Sequence, residues 1–294
     1  MDIAKVGVIG AGTMGHGIAQ VSAMAGCDVV LQDLQDDVVQ RGLDHIRANL
    51  DKGVARGKVD AAAAEAALAR ISGTTELGLV ADDADLLVEA IPEKLALKQQ
   101  LFAQLQDLAP AHAIFGTNTS SLSIAGIAGV LRDPGRVIGM HFFNPVHIMK
   151  LLELIVHDGT RDAVLAAAMA YGDAIGKTCI TVRDFPGFAT SRLGVVLGNE
   201  AIRMLADGVA TASDIDTAMR LGYKHPMGPL ELSDLVGLDV RRDILNNLAE
   251  AFDDERYLPH SMLDRLVEAG ELGKKTSKGI YDWSEDGKSE REDL

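Results

Sequence analysis

The sequence predicts an α/β domain followed by a helical one. Three observations carry this: short β-branched runs alternate with helical patterns from residue 4 to about 182, a glycine-rich turn directly follows the first run, and the strand pattern stops at Pro186-Gly187. The expected domains are therefore residues 1–185 and 186–294. Length agrees, since 294 residues exceed what a single small core usually organises.

In chain order the expected strands are KVGVIG, DVVLQD, ADLLVEAIP, HAIFGTNTS, GRVIGMHF, LLELIV and CITVRD. Helical patterns between them imply a largely parallel sheet. The connection from Asp33 to Asp85 is unusually long and reads as a charged helix through Ile46 and Leu50, then an alanine-rich one at 60–70. Insertions of that size often carry a second binding role. Beyond the boundary, Leu193, Val196, Leu197, Ala201, Met204 and Leu205 recur at helix spacing and stop at Gly208, and Ser213 is the expected cap of a second helix ending at Gly222. From Ser284 the chain reads as a polar tail.

Composition narrows the partners. A net charge of -15 argues against nucleic acid and anionic membranes, because neither attracts an acidic surface. Cys27 and Cys179 match no metal-ligand spacing, so buried reduced thiols and a reducing, cytoplasmic compartment are expected, with no metal site. The first strand begins near Ala4, which leaves no room for a targeting leader, and no apolar stretch approaches a membrane span.

The strongest motif is VGVIGAGTMGHGIA, where Gly10, Gly12 and Gly15 form GxGxxG between a strand and a helix with Met14, Ile18, Val21 and Met24 as its apolar face. The glycines allow a tight turn, close approach of a pyrophosphate, and helix–strand packing; the helix N-terminus then faces the phosphates. Cofactor contacts are expected along this turn, at Gly10, Gly12, Thr13, Met14 and Gly15. Asp33 closes the next strand about twenty positions on, where a carboxylate accepts from a ribose. With no arginine in LQDLQDD to receive a 2'-phosphate, NAD is favoured over NADP.

His141 ends an apolar strand on the edge where open α/β sheets bind ligands. Alcohol oxidation needs a proton acceptor, and imidazole suits that at neutral pH. Glu153 stands inside the apolar run KLLELI, an expensive placement for a lone carboxylate. A turn at Asn144-Pro145 could bring it to His141; a solvated strand edge is the competing reading. His16, His147 and His157 are expected at the surface. Asn118, Thr119, Ser120 and Ser121 put polar groups on the same edge, where one can cap a helix while a neighbour faces substrate.

Taken together, GAGTMGHGIAQ, VEAIPEKLALKQQLF, TNTSSLSI, HFFNPVHIMKLLELI, DFPGF, EAIRML, DIDTAMRLG, PMGPLELSDLVGLD and GKKTSKGIYDW make the chain resemble the L-3-hydroxyacyl-CoA dehydrogenase family over nearly its whole length. The resemblance implies a Rossmann-type N-terminal domain, an all-helical C-terminal domain and a homodimer. It also implies NAD as cofactor and an acyl-CoA substrate such as 3-hydroxybutyryl-CoA. It implies His141 as base, Glu153 as its partner and Ser120 as the hydroxyl on the substrate's 3-oxygen. Asp33, Glu93, Lys98, Ser120, Asn144 and Lys275 are the implied cofactor contacts, and Asn49 and Arg56, beside Lys52 and Lys58, lie where the family binds coenzyme A. One position departs: Ser191 in GFATSRL replaces the family's frequent asparagine. Two other readings are a catalytically weak NAD-binding structural protein, as in the related lambda-crystallins, and a dehydrogenase of a free hydroxy acid such as gulonate.

Overall fold

A computed structural model describes residues 2–294. The chain folds as two compact units, Met1–Phe185 and Pro186–Leu294.

The first unit is built on eight strands: β1 (Lys5–Ile9), β2 (Asp28–Gln32), β3 (Ile71–Thr74), β4 (Leu86–Glu89), β5 (Ile114–Thr117), β6 (Val137–Phe142), β7 (Leu151–Val156) and β8 (Thr178–Arg183). They lie in the order β3-β2-β1-β4-β5-β6-β7-β8. The first six are parallel; β7 runs antiparallel to β6 and takes β8 parallel beside it. All four residues of β4 and of β5, and all six of β6, are buried, as expected of strands covered on both faces. The helices are α1 (Gly15–Met24), α2 (Asp36–Ala55), α3 (Ala61–Ala69), α4 (Leu77–Ala81), α5 (Leu95–Leu108), α6 (Ile124–Ala128) and α7 (Asp162–Ala174).

Three sequence expectations change here. The long connection also contains β3 and α4, so it extends the sheet edge as well as adding helices. Met24 is 44% exposed, and the buried side of α1 is carried by Ile18, Ala19, Val21 and Ser22. Cys27 is buried, whereas Cys179 is half-buried.

The second unit holds α8 (Thr190–Ala206), α9 (Ala212–Gly222), α10 (Pro229–Val236), α11 (Leu238–Phe252) and α12 (Ser261–Glu268) around Leu230, Leu238, Leu245 and Leu263. It is not wholly helical. β9 (Tyr281–Ser284) and β10 (Gly287–Glu290) form an antiparallel hairpin from the stretch expected as a tail. Buried Asp234 accepts from the Ile280 and Tyr281 N–H groups and the Trp283 indole, which anchors this hairpin to α10. Thr211, not Ser213, caps α9, its hydroxyl accepting from Asp214 N–H.

Candidate active site

The parallel order reverses between β1 and β4, and the carboxyl edge at such a switch point is where a crevice opens. The glycine turn lies there. Gly10 has φ +100°, and a Cβ on it would stand 2.6 Å from the Ala90 carbonyl oxygen; on Gly15 it would stand 1.6 Å from that of Gly10. These two glycines are required by the protein's own packing. A Cβ on Gly12 would meet nothing within 4 Å, and the N-terminus of α1 has no side-chain cap at Met14. Space beside Gly12 and an uncapped helix start are what a pyrophosphate needs. Asp33 is fixed at the lip by Ala11 N–H (2.8 Å) and Leu34 N–H (2.7 Å), leaving lone pairs for a ribose hydroxyl. The residues present fit a dinucleotide.

His141 and Glu153 face each other directly across the β6–β7 ladder. Residues directly opposite in an antiparallel pair share a face, so register alone brings the side chains together. His141 Nδ1 lies 2.6 Å from Glu153 Oε2, Glu153 is wholly buried, and the histidine is only 8% exposed. With the carboxylate as acceptor, Nδ1–H donates and Nε2 is the atom that can exchange a proton. The Phe143 ring, 4.5 Å away between centroids, packs against the imidazole. The other histidines are occupied differently. His157 Nε2 approaches the Pro134 carbonyl (3.1 Å), His147 is exposed, and half-buried His16 bonds the Gly12 carbonyl and stacks on His45.

The turn after β5 is gathered by Glu93. Its Oε1 accepts the N–H groups of Ser120 (2.9 Å) and Ser121 (3.2 Å) and the Thr119 hydroxyl, while the Ser120 and Ser121 hydroxyls stand at 3.4 Å. Burial alone would raise the Glu93 carboxyl, but Lys98 and the bonds from Thr119 and Ser120 outweigh it and hold the group below the ordinary carboxylate value. Lys98 is wholly buried and bridges Glu89 (2.6 Å) and Glu93 (3.3 Å). Asn118 accepts from Phe142 N–H (3.0 Å), tying this turn to the end of β6. Asn144 is exposed in the connection after β6. In the second unit, Lys275 is held by both oxygens of Asp239 (2.6 Å each), and Ser191 is half-buried in the first turn of α8.

A cavity of about 560 Å³ opens between α1, α2 and the β6–β7 connection. Asn49 and Arg56 line it, as do Lys52 and Lys58; Lys150 and Lys177, which sequence reasoning missed, complete the cations. No aspartate or glutamate is among the described residues lining it. On a chain with net charge -15, a pocket carrying only cationic charge is selective for an anion. Among the described residues no group of acidic, histidine or cysteine side chains could hold a metal ion, and no helix is long and apolar enough to cross a membrane.

Comparison with known proteins assigns the family. Residues 5–185 match the model of the 3-hydroxyacyl-CoA dehydrogenase NAD binding domain, and residues 187–283 match that family's C-terminal domain. A 3-hydroxybutyryl-CoA dehydrogenase of Bradyrhizobium diazoefficiens is 43% identical over 96% of each chain. One from Mycobacterium tuberculosis is 40% identical over 95% of this chain and 98% of its own. The crystal structure of (S)-3-hydroxybutyryl-CoA dehydrogenase from Ralstonia eutropha superposes with a TM-score of 0.93 at 40% identity, covering 97% of this chain and all of that one. With both domain models matched in order and relatives of this similarity along nearly the full length, the chain belongs to the 3-hydroxyacyl-CoA dehydrogenase family.

Proposed function

We propose that the protein oxidises L-3-hydroxyacyl-CoA to 3-ketoacyl-CoA with NAD, and reduces the ketone in the reverse direction. The observation that carries the chemistry is the buried His141–Glu153 pair at the end of β6. Gly10, Gly12, Thr13, Met14, Gly15, Asp33, Glu93, Lys98, Ser120, Asn144 and Lys275 would hold the dinucleotide. Bound there, the nicotinamide would supply the hydride acceptor for oxidation at the substrate's C3.

The chain's own residues do the rest. The Ser120 hydroxyl donates to the 3-oxygen, and His141 Nε2 removes the hydroxyl proton as the C3 carbonyl forms. Glu153 holds the ring in the Nδ1–H tautomer and stabilises the imidazolium that results. In the reverse direction that imidazolium returns the proton. The cationic cavity takes the phosphates of coenzyme A, with Asn49 and Arg56 as contacts. Ser191, shorter than asparagine, still supplies one donor and one acceptor. A second copy of the chain covers the exposed Leu193, Val196 and Leu197 of α8 and Leu232 and Leu235 of α10, giving a homodimer. Two free cysteines suit the reducing cytoplasm.

NADH oxidation with acetoacetyl-CoA, set beside free acetoacetate, tests the substrate; turnover on the free acid equal to that on the thioester would overturn it. Glu153→Gln tests the pair. Removing the negative charge lets the imidazolium release its proton more easily, so the acid limb of alcohol oxidation moves to lower pH. An unmoved limb, where chemistry limits the rate, means the two residues do not act together.

A further inference from the structure

Three histidines lie together beside the cationic cavity, apart from the acid–base pair. Two of them meet across α1 and α2. His16 and Gln20 are one turn apart on α1, and His45 and Asn49 one turn apart on α2, so each pair shares a helix face. Between the helices the Asn49 amide donates to Gln20 Oε1 (3.4 Å), and both residues line the cavity. One turn along, the His16 and His45 rings face each other with centres 5.2 Å apart. The third histidine arrives on the β6–β7 connection, which packs on α1 next to His16: a Cβ on Gly17 would stand 2.8 Å from the Val146 Cβ. Lys177 donates to the carbonyls of Val146 and Met149 and so brackets His147, which lines the cavity beside it.

We propose that His16, His45 and His147 form a proton-dependent anion subsite on the rim of this cavity, which takes up protons as coenzyme A binds and holds it more tightly as pH falls. Imidazole is the side chain whose charge ordinarily changes between pH 5 and 8. Crowding favours the neutral form before a ligand arrives. Burial pushes His16 below its ordinary value; the bond between its Nδ1 and the Gly12 carbonyl (2.8 Å) opposes this, and His45 and His147 add to it. His147 is lowered as well, by burial and then by the Lys177 ammonium. A phosphate in the cavity acts the other way, since a nearby opposite charge favours the protonated ring. Affinity therefore rises as pH falls through the values of the complex, and the gain is complete below those of the free protein, which for His16 and His147 lie under the ordinary 6.5. The charged groups around the cluster are themselves cationic or engaged elsewhere. Lys177 stands behind His147, and Lys52 and Lys150 continue the cavity wall. On α2, Arg41 is paired with Asp37, while Asp44 is bonded by Gln40 (2.9 Å) and lines a separate hollow with Arg47.

This inference rests on the reading above that the cavity takes the phosphates of coenzyme A. Its test is binding of coenzyme A itself to the full-length protein, by calorimetry at pH 8 and pH 6, because a ligand without a ketone leaves the chemistry at His141 out of the measurement. The 3'-phosphate of the ligand also titrates, near pH 6, but it does so equally against every variant and cancels in the comparison. From pH 8 to pH 6 the dissociation constant of the unmodified protein should improve by about threefold or more beyond any change in His16→Asn/His45→Gln/His147→Gln. Repeating the titration near pH 6.5 in buffers of different ionisation enthalpy reads the protons directly; the unmodified protein should take up roughly a quarter of a proton or more in excess of the triple variant, as linkage requires of that slope. His45→Gln/His147→Gln, at two exposed positions, should show the same signature at smaller size and serves if His16→Asn does not fold. Parallel pH slopes with equal proton uptake would overturn the proposal. So would a variant weakened equally at both pH values, which would make the histidines plain contacts, or one altered only in NADH affinity, which would assign them to the dinucleotide turn. An unmodified protein that binds no coenzyme A at either pH overturns the reading of the cavity and this inference with it; one that binds it with the same pH dependence as the triple variant overturns this inference alone.

Discussion

At His141 the decisive property is burial beside a carboxylate, with only 8% of the residue exposed and Nδ1 bonded to Glu153. His141→Gln should keep NADH binding yet lose about two to four orders of magnitude in turnover, the usual worth of a positioned acid or base. Fluorescence titration beside steady-state kinetics measures both; near-normal turnover would move the chemistry elsewhere. Glu93 makes a separate statement about pH. Its folded carboxyl is held below the ordinary value of 4.5, so its stabilising contribution is complete above that value and disappears as pH falls through the depressed one. The melting temperatures of the unmodified protein and Glu93→Gln should therefore differ at pH 7 and converge in acid; a constant gap would mean that the carboxylate's charge is not what stabilises the turn. His141 and Glu153 were legible because a histidine and a carboxylate inside apolar runs ask for partners. Glu89 carries the same signal, ending the run LLVE in an apolar strand, but its partner Lys98 sits on a helix where lysine looks ordinary. Lys150 and Lys177 gave no sequence signal, since only the fold brings them to the cavity of Asn49 and Arg56.

Among the elements, the turn from β1 into α1 separates glycine used for packing from glycine used for a ligand. Gly15→Ala places a methyl group against a backbone carbonyl and should cost about 1–3 kcal/mol or more. Gly12→Ala points into open space, so its stability should stay within about 0.5 kcal/mol while NADH affinity falls by about tenfold or more. Thermal unfolding and NADH titration on both variants separate these roles; equal affinity in Gly12→Ala would mean that the dinucleotide does not cross that glycine. The seven strands expected from β-branched runs all form. β3 escaped because ISGT is short and only half-covered at the sheet edge, so it lacks the apolar run of the interior strands. The β9–β10 hairpin had a usable sign in Asp286-Gly287 following the alternating Tyr281 and Trp283, a dipeptide suited to tight turns, but the polar residues after it masked the second strand.

Over the whole molecule, charge is distributed against its average. The chain is acidic, yet Lys52, Arg56, Lys58, Lys150 and Lys177 converge on one cavity. A polyanionic substrate drawn there should feel salt, because interactions between exposed charges weaken beyond a screening length of about 8 Å at physiological ionic strength. The KM for acetoacetyl-CoA should rise several-fold from low to about 0.5 M salt with kcat nearly constant, and the slope should flatten in Lys52→Ala/Arg56→Ala. A KM indifferent to salt would place the phosphates elsewhere. The division into an α/β half and a mainly helical half could be read from where the strand pattern stops. The acidic surface could be read from composition, but the local reversal of sign needed three dimensions.

The β6–β7 ladder has an evolutionary consequence. Because backbone pairing sets which residue faces His141, a one-residue deletion inside either strand would turn Glu153 to the opposite face of the sheet. The connection at 143–150 is under no such constraint, and a length change there can be absorbed before pairing resumes. That same connection supplies His147, Met149 and Lys150 to the cavity wall and is braced by Lys177, which donates to the carbonyls of Val146 and Met149. Insertions and deletions could thus remodel what the pocket accepts while the acid–base pair a few residues away is inherited intact. Descendants of such a chain can diverge in diet without relearning their chemistry.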